Sequence, residues 1–94
     1  MPAPISISDL AQHLLTQRYR LSGDTIADCI ALAFLWNQNP TARITWQQLG
    51  DIWESASHSY VSKRMRKLIK AGLISYDAGT LDAPGYLIHR IGPA

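Results

Sequence analysis

The chain has 94 residues, 47% of them hydrophobic and 17% charged, with a formal net charge of +2. A chain of this length holds a single core, and its apolar content excludes an intrinsically disordered segment, which combines low hydrophobicity with high net charge. The lone cysteine, Cys29, makes no internal disulfide and points to a reducing compartment. MPAPISISDL has neither the basic start nor the long apolar run of a signal peptide. The longest apolar stretch, Ile26 to Trp36, is broken by Asp28 and falls short of the ~20 residues of a membrane-spanning helix. The expectation is a cytoplasmic protein that is not inserted in a membrane.

Ser6, followed three residues later by Asp9, resembles a capping pair, and Ile7, Leu10, Ala11, Leu14 and Leu15 then recur at helical spacing, predicting a first helix over about 7–20. Gly23 reads as its stop and Asp24 as the N-cap of a second helix, about 25–38, that is apolar on nearly every side and expected to be enclosed by other elements. Asn37-Gln38-Asn39-Pro40 ends it, and Ala42-Arg43-Ile44-Thr45 forms a short, extended link. Thr45 with Gln48 fits a capping box that opens a third helix, about 46–54, with Trp46, Leu49, Ile52 and Trp53 on one face. After the polar turn Ser55-Ala56-Ser57, Val61, Met65, Leu68 and Ile69 mark the apolar face of a fourth helix, about 58–71, which Gly72 stops. Leu73-Ile74-Ser75-Tyr76 and Tyr86 to Ile91 read as strands joined by a loop rich in turn formers.

Charge is unevenly placed along this order. Residues 1–58 sum to −2 and residues 59–94 to +4, and five of the nine bases lie within eight residues: Lys63, Arg64, Arg66, Lys67 and Lys70. A local basic cluster is the footprint of a polyanion-binding element, and equally that of a solvated helix face. At 100° per residue, Val61, Met65, Leu68 and Ile69 occupy one side of the fourth helix, while Ser59, Tyr60, Lys63, Arg66, Lys67 and Lys70 occupy the other, with Arg64 at the border.

Two short helices joined by a tight turn form a helix-turn-helix, and a hairpin after it makes a winged helix. The stretch Val61-Ser62-Lys63-Arg64-Met65-Arg66-Lys67-Leu68-Ile69-Lys70-Ala71-Gly72-Leu73-Ile74 resembles the recognition helix and helix-to-wing junction of MarR-like winged-helix regulators, closely over these fourteen residues and more loosely over about 24–91. The expected fold is therefore α+β: one winged helix-turn-helix domain over 1–94, with a three-helix core, a C-terminal β-hairpin wing and an additional N-terminal helix at 7–20. The resemblance implies a sequence-specific regulator of transcription that binds double-stranded DNA, with the helix at about 58–71 in the major groove. Ser59, Tyr60 and Lys63 would face bases; Arg66, Lys67 and Lys70 would meet phosphates. Ser57, Ser62 and Arg64 complete the candidate set, the hydroxyls of Ser57 and Ser59 as donors to phosphate.

Three features depart from that family. The wing loop holds Asp77 and Asp82 and no base, the spacing from Leu49 to Val61 is about one residue longer, and the sequence stops at Ala94 without the C-terminal helices that many such regulators use to dimerise. The helix at 7–20, with Leu10, Leu14, Leu15 and Tyr19, is then the candidate for a homodimer contact, or else packs on its own domain. The acidic wing supports an alternative, a winged-helix interaction module whose basic face docks an acidic protein. Trp36, Trp46 and Trp53 read as core residues. His13, His58 and His89 lack metal-ligand spacing, Ser57-His58-Ser59 lacks an orienting acid, and no Gly-rich phosphate loop is present, so neither a metal, a cofactor nor an enzymatic activity is expected.

Overall fold

The computed structural model describes residues 4–54 and 57–92. Four helices, α1 (Ile7–Thr16), α2 (Gly23–Gln38), α3 (Trp46–Ile52) and α4 (His58–Lys70), precede strands β1 (Ile74–Asp77) and β2 (Leu87–Ile91). The chain is thus a small α+β domain of four helices and a two-stranded antiparallel hairpin. No helix among the described residues is long and apolar enough to cross a membrane.

Each helix begins on a hydroxyl that accepts a hydrogen bond from a backbone N–H three residues on: Ser6 for α1, Ser22 for α2, Thr45 for α3 and Ser57 for α4. Two expectations are corrected here. Ser22, not Asp24, caps α2, because its β-region backbone lets its hydroxyl reach the Thr25 N–H, so Gly23 is the first helical residue rather than a stop. The first helix ends at Thr16 instead of continuing to 20; residues 17–20 turn, with the Arg20 and Leu21 N–H groups both bonded to the Gln17 carbonyl.

The capping box of α3 is formed in full. The Gln48 N–H donates to Thr45 Oγ1 at 3.1 Å, and the Thr45 N–H donates to Gln48 Oε1 at 2.9 Å. A helix of only two turns depends heavily on its ends, so Thr45→Ala is expected to lower stability by about 1 kcal/mol, read as a lower urea midpoint with an unchanged denaturant slope. The helix stops at Ile52 rather than 54, with Trp53 as C-cap and Glu54 in the left-handed region at φ 54°. Ser55 and Ala56, in the expected polar turn, lie outside the described residues. At the end of α4, Gly72 adopts φ +75°, and the N–H groups of Gly72 and Leu73 close onto the carbonyls of Ile69 and Leu68. That pairing is a Schellman motif, for which glycine carries no Cβ penalty.

The core gathers Leu10 and Leu14 of α1, Cys29, Leu32, Ala33 and Trp36 of α2, Leu49 of α3, Val61, Met65 and Leu68 of α4, and Leu73, Ile74 and Ile88 at the hairpin. α2 is the central element, packed against α1, α3, α4 and β2. It is not enclosed all round, however: Phe34 is 57% exposed, because among the described residues no element covers the face that carries Ala27 and Phe34. Ile69, expected in the core, is 43% exposed at the edge of the α4 apolar stripe.

The hairpin pairs Ile74 with Ile91 and Ser75 with Arg90, then shifts register so that Tyr76 faces Ile88. Tyr86, expected inside the second strand, instead forms an isolated antiparallel bridge with Ile44, through hydrogen bonds of 2.9 and 2.7 Å. This bridge ties the base of the hairpin loop to the segment that enters α3.

Candidate functional site

The outer face of α4 is built by its inner one. Val61 and Met65 are fully buried and Leu68 nearly so, which sets the rotation of the helix and turns Ser59, Lys63, Arg66, Lys67 and Lys70 outward within an arc of about 100°. All five are exposed, and the four cations among them make no ion pair or hydrogen bond with the described residues. Lys67 and Lys70 also sit in the last turn of α4, where cations complement the negative end of the helix dipole.

The remaining candidates have other positions. Ser57 caps α4, its hydroxyl oxygen accepting from the Tyr60 N–H. Ser62 is half-buried and faces the hairpin loop. Arg64 turns away from the arc: its guanidinium meets the Asp28 carboxylate at 2.5 Å, donates to the Tyr60 hydroxyl at 2.9 Å, and lies 4.7 Å from the Tyr60 ring centroid. These side chains are 23% and 12% exposed for Arg64 and Asp28, so the pair is largely withdrawn from water. Burial raises the Asp28 carboxyl above its usual range, outweighing the guanidinium that lowers it. The Tyr60 hydrogen bond, ahead of Asp28, strengthens the hold of Arg64 on its proton. Arg64 thus forms a strut between α4 and α2 instead of a member of the exposed arc, while Tyr60, 44% exposed, holds it from the same helix.

Two contributors carry no sequence signal. Asp28 interrupts an apolar run, yet it is buried because its partner comes from a helix 36 residues away. Arg20 donates to the Ala71 carbonyl and to Gln17, which places its charge at the end of α4 beside Lys67 and Lys70. Only the tertiary path of the chain brings it there. Arg20 therefore extends the basic arc by one cation.

Two further arginines serve the hairpin. Arg43 donates to the Gly85 carbonyl at 3.0 Å, and Arg90 to the carbonyls of Gly72 and Gly92. In the hairpin, Asp77 is paired with His89 at 2.8 Å, and Asp82 is exposed. Of the three tryptophans, Trp36 and Trp53 are buried, each with its indole N–H directed at a backbone carbonyl, whereas Trp46 is half-buried beside the hairpin loop. Burial, reinforced by the Asp28 charge, pushes the Cys29 thiol up to about 11, so it remains protonated and unreactive. Among the described residues no group of three His, Cys, Asp or Glu side chains gathers as a metal site.

Comparison with protein-family models, curated proteins and solved structures finds no match to the chain.

Proposed function

We propose that the chain is a winged helix-turn-helix domain of MarR-like type that binds double-stranded DNA and regulates transcription, with α4 as the major-groove helix and the β1–β2 hairpin as the wing. The observation that carries this reading is the acid-free arc on α4: Ser59, Lys63, Arg66, Lys67 and Lys70 face outward together, on a helix held from behind by three buried apolar residues. Ser59 and Lys63, near the start of the helix, are placed for base edges, and Arg66, Lys67, Lys70 and Arg20 for phosphates. Arg64 is withdrawn from direct contact and instead sets the angle at which α4 is presented.

One helix makes few contacts, so discrimination needs two copies reading half-sites about 34 Å apart. α1 packs on its own domain through Leu10 and Leu14, and of the residues expected at a homodimer contact only Leu15 and Tyr19, 54% and 83% exposed, are left to make one. The acidic hairpin supports the second reading, an interaction module for an acidic protein, because Asp77 and Asp82 would be repelled by phosphate.

A gel shift against random-sequence duplex at low salt separates the two readings, since a DNA-binding domain retains non-specific affinity there. The wild-type chain is expected to shift the duplex. Lys63→Glu/Lys67→Glu, which reverses two exposed charges, is expected to abolish the shift with its circular dichroism unchanged. A wild-type chain that leaves the duplex unshifted sinks the DNA reading.

A further inference from the structure

A groove of about 800 Å³ lies between the start of α3, the exposed side of α4 and the hairpin loop. Four aromatic rings line it in two edge-to-face pairs: Trp46 with His58, centroids 5.5 Å apart and planes at 76°, and Tyr76 with Tyr86, at 5.0 Å and 87°. In an edge-to-face pair the faces of the edge-on ring are not taken up by its partner ring. Arg66 enters from α4, and among the described residues no carboxylate lines the groove. Neither the Arg66 guanidinium nor the Trp46 indole N–H has a hydrogen-bond partner among the described residues.

The far wall is shaped by the loop itself. The Thr80 N–H donates to the Ala83 carbonyl at 3.0 Å, and the Ala83 N–H to the Thr80 hydroxyl at 3.2 Å. Gly79 packs so tightly that a Cβ there would come within 2.5 Å of the Gly85 backbone nitrogen. The loop wall is thus held by its own hydrogen bonds and close packing.

We propose that this groove binds a nucleotide, its base stacked on the aromatic walls and its phosphate paired with Arg66. Charge complementarity selects the occupant: of the nearby loop carboxylates Asp77 is paired with His89 and Asp82 is outside the lining, so the unpaired guanidinium in the groove favours an anion, and aromatic walls favour an anion that carries a flat ring. The nucleotide has two sources, a free mononucleotide or an unpaired nucleotide at the end of a strand. Arg66 belongs both to the groove and to the exposed arc of α4, so an unpaired end beside a bound duplex would reach the rings. The inference goes beyond duplex binding and stands without it.

Isothermal titration calorimetry of the full chain tests this with adenosine monophosphate, adenosine and inorganic phosphate, and with blunt and single-strand-overhang duplexes. Adenosine monophosphate is expected to bind with a dissociation constant of about 1 mM or tighter, and adenosine and phosphate each about tenfold more weakly. Arg66→Ala, at an exposed position, is expected to reduce adenosine monophosphate to the affinity of adenosine. Trp46→Leu, which keeps apolar packing but removes the indole, is expected to weaken it about tenfold. Preference for the overhang duplex over the blunt one assigns the strand end as the source; equal affinity for the two, with the mononucleotide bound, assigns the free nucleotide. Absence of both mononucleotide binding up to roughly 10 mM and overhang preference overturns the site, as does binding that neither substitution changes. Nucleotide binding without blunt-duplex binding would leave this inference standing and remove the proposed DNA-binding function.

Discussion

Trp36→Ala is expected to cost about 4 kcal/mol, much of the ~5–10 kcal/mol available to a domain of this size. Trp36 is 7% exposed on the central helix, and its indole N–H is directed at the Ile88 carbonyl of β2, 3.4 Å away. The substitution opens a cavity at the junction of α2 and the hairpin and leaves that carbonyl without its side-chain donor. The expected result is a chain largely unfolded near 37 °C, with loss of the cooperative transition in near-ultraviolet circular dichroism. Phe34→Ala, on the same helix but 57% exposed, is expected to change stability by less than about 1 kcal/mol. Equal losses from the two would contradict the placement of the core on one side of α2.

The second large effect concerns the strut between α2 and α4. Arg64→Met removes the guanidinium and leaves a mostly buried carboxylate at Asp28, an arrangement that costs about 2 kcal/mol at pH 7 once the residual exposure of both side chains is allowed for. Burial already holds the Asp28 carboxyl above its ordinary value of 3.8, and removal of Arg64 raises it further. A carboxyl raised in the folded state binds its proton more tightly there than in the unfolded chain. Its contribution is therefore fully favourable below the unfolded value and is lost as pH rises through the folded one. The deficit of Arg64→Met relative to the wild type should be largest at neutral pH and shrink steadily as pH falls toward the Asp28 range. In the double variant Asp28→Asn/Arg64→Met that pH dependence should disappear. Thermal melts of the three chains from neutral to acidic pH check this, and a deficit that does not change with pH would contradict the pairing.

Most of the architecture was legible because it is written in local chemistry. Thr45 and Gln48 announce α3, Gly72 announces the end of α4, and the change from helical to alternating apolar spacing announces the hairpin. Boundaries failed where two local signals competed: Ser22 and Asp24 are both good caps, and only the backbone at Ser22 decides between them. Ile69 failed because apolar spacing describes a stripe, whereas burial depends on how wide a surface the partner helices present. In the site, the rotation of α4 was legible from Val61, Met65 and Leu68, and the outward set of Ser59, Lys63, Arg66, Lys67 and Lys70 follows from it. The inward turn of Arg64, the arrival of Arg20 and the aromatic groove were not, since each depends on residues brought from distant parts of the chain.

The central claim, that the exposed face of α4 binds duplex DNA through its phosphates, is tested most directly by the salt dependence of binding. For the wild-type chain, log affinity for a duplex should fall linearly with log salt at a slope magnitude of about 3 to 4, set by Arg20, Arg66, Lys67 and Lys70 at roughly 0.9 per phosphate contact. Lys67→Ala/Lys70→Ala should lower that magnitude by about 2 and weaken binding at least tenfold at low salt. A double variant with wild-type affinity and slope would contradict the claim.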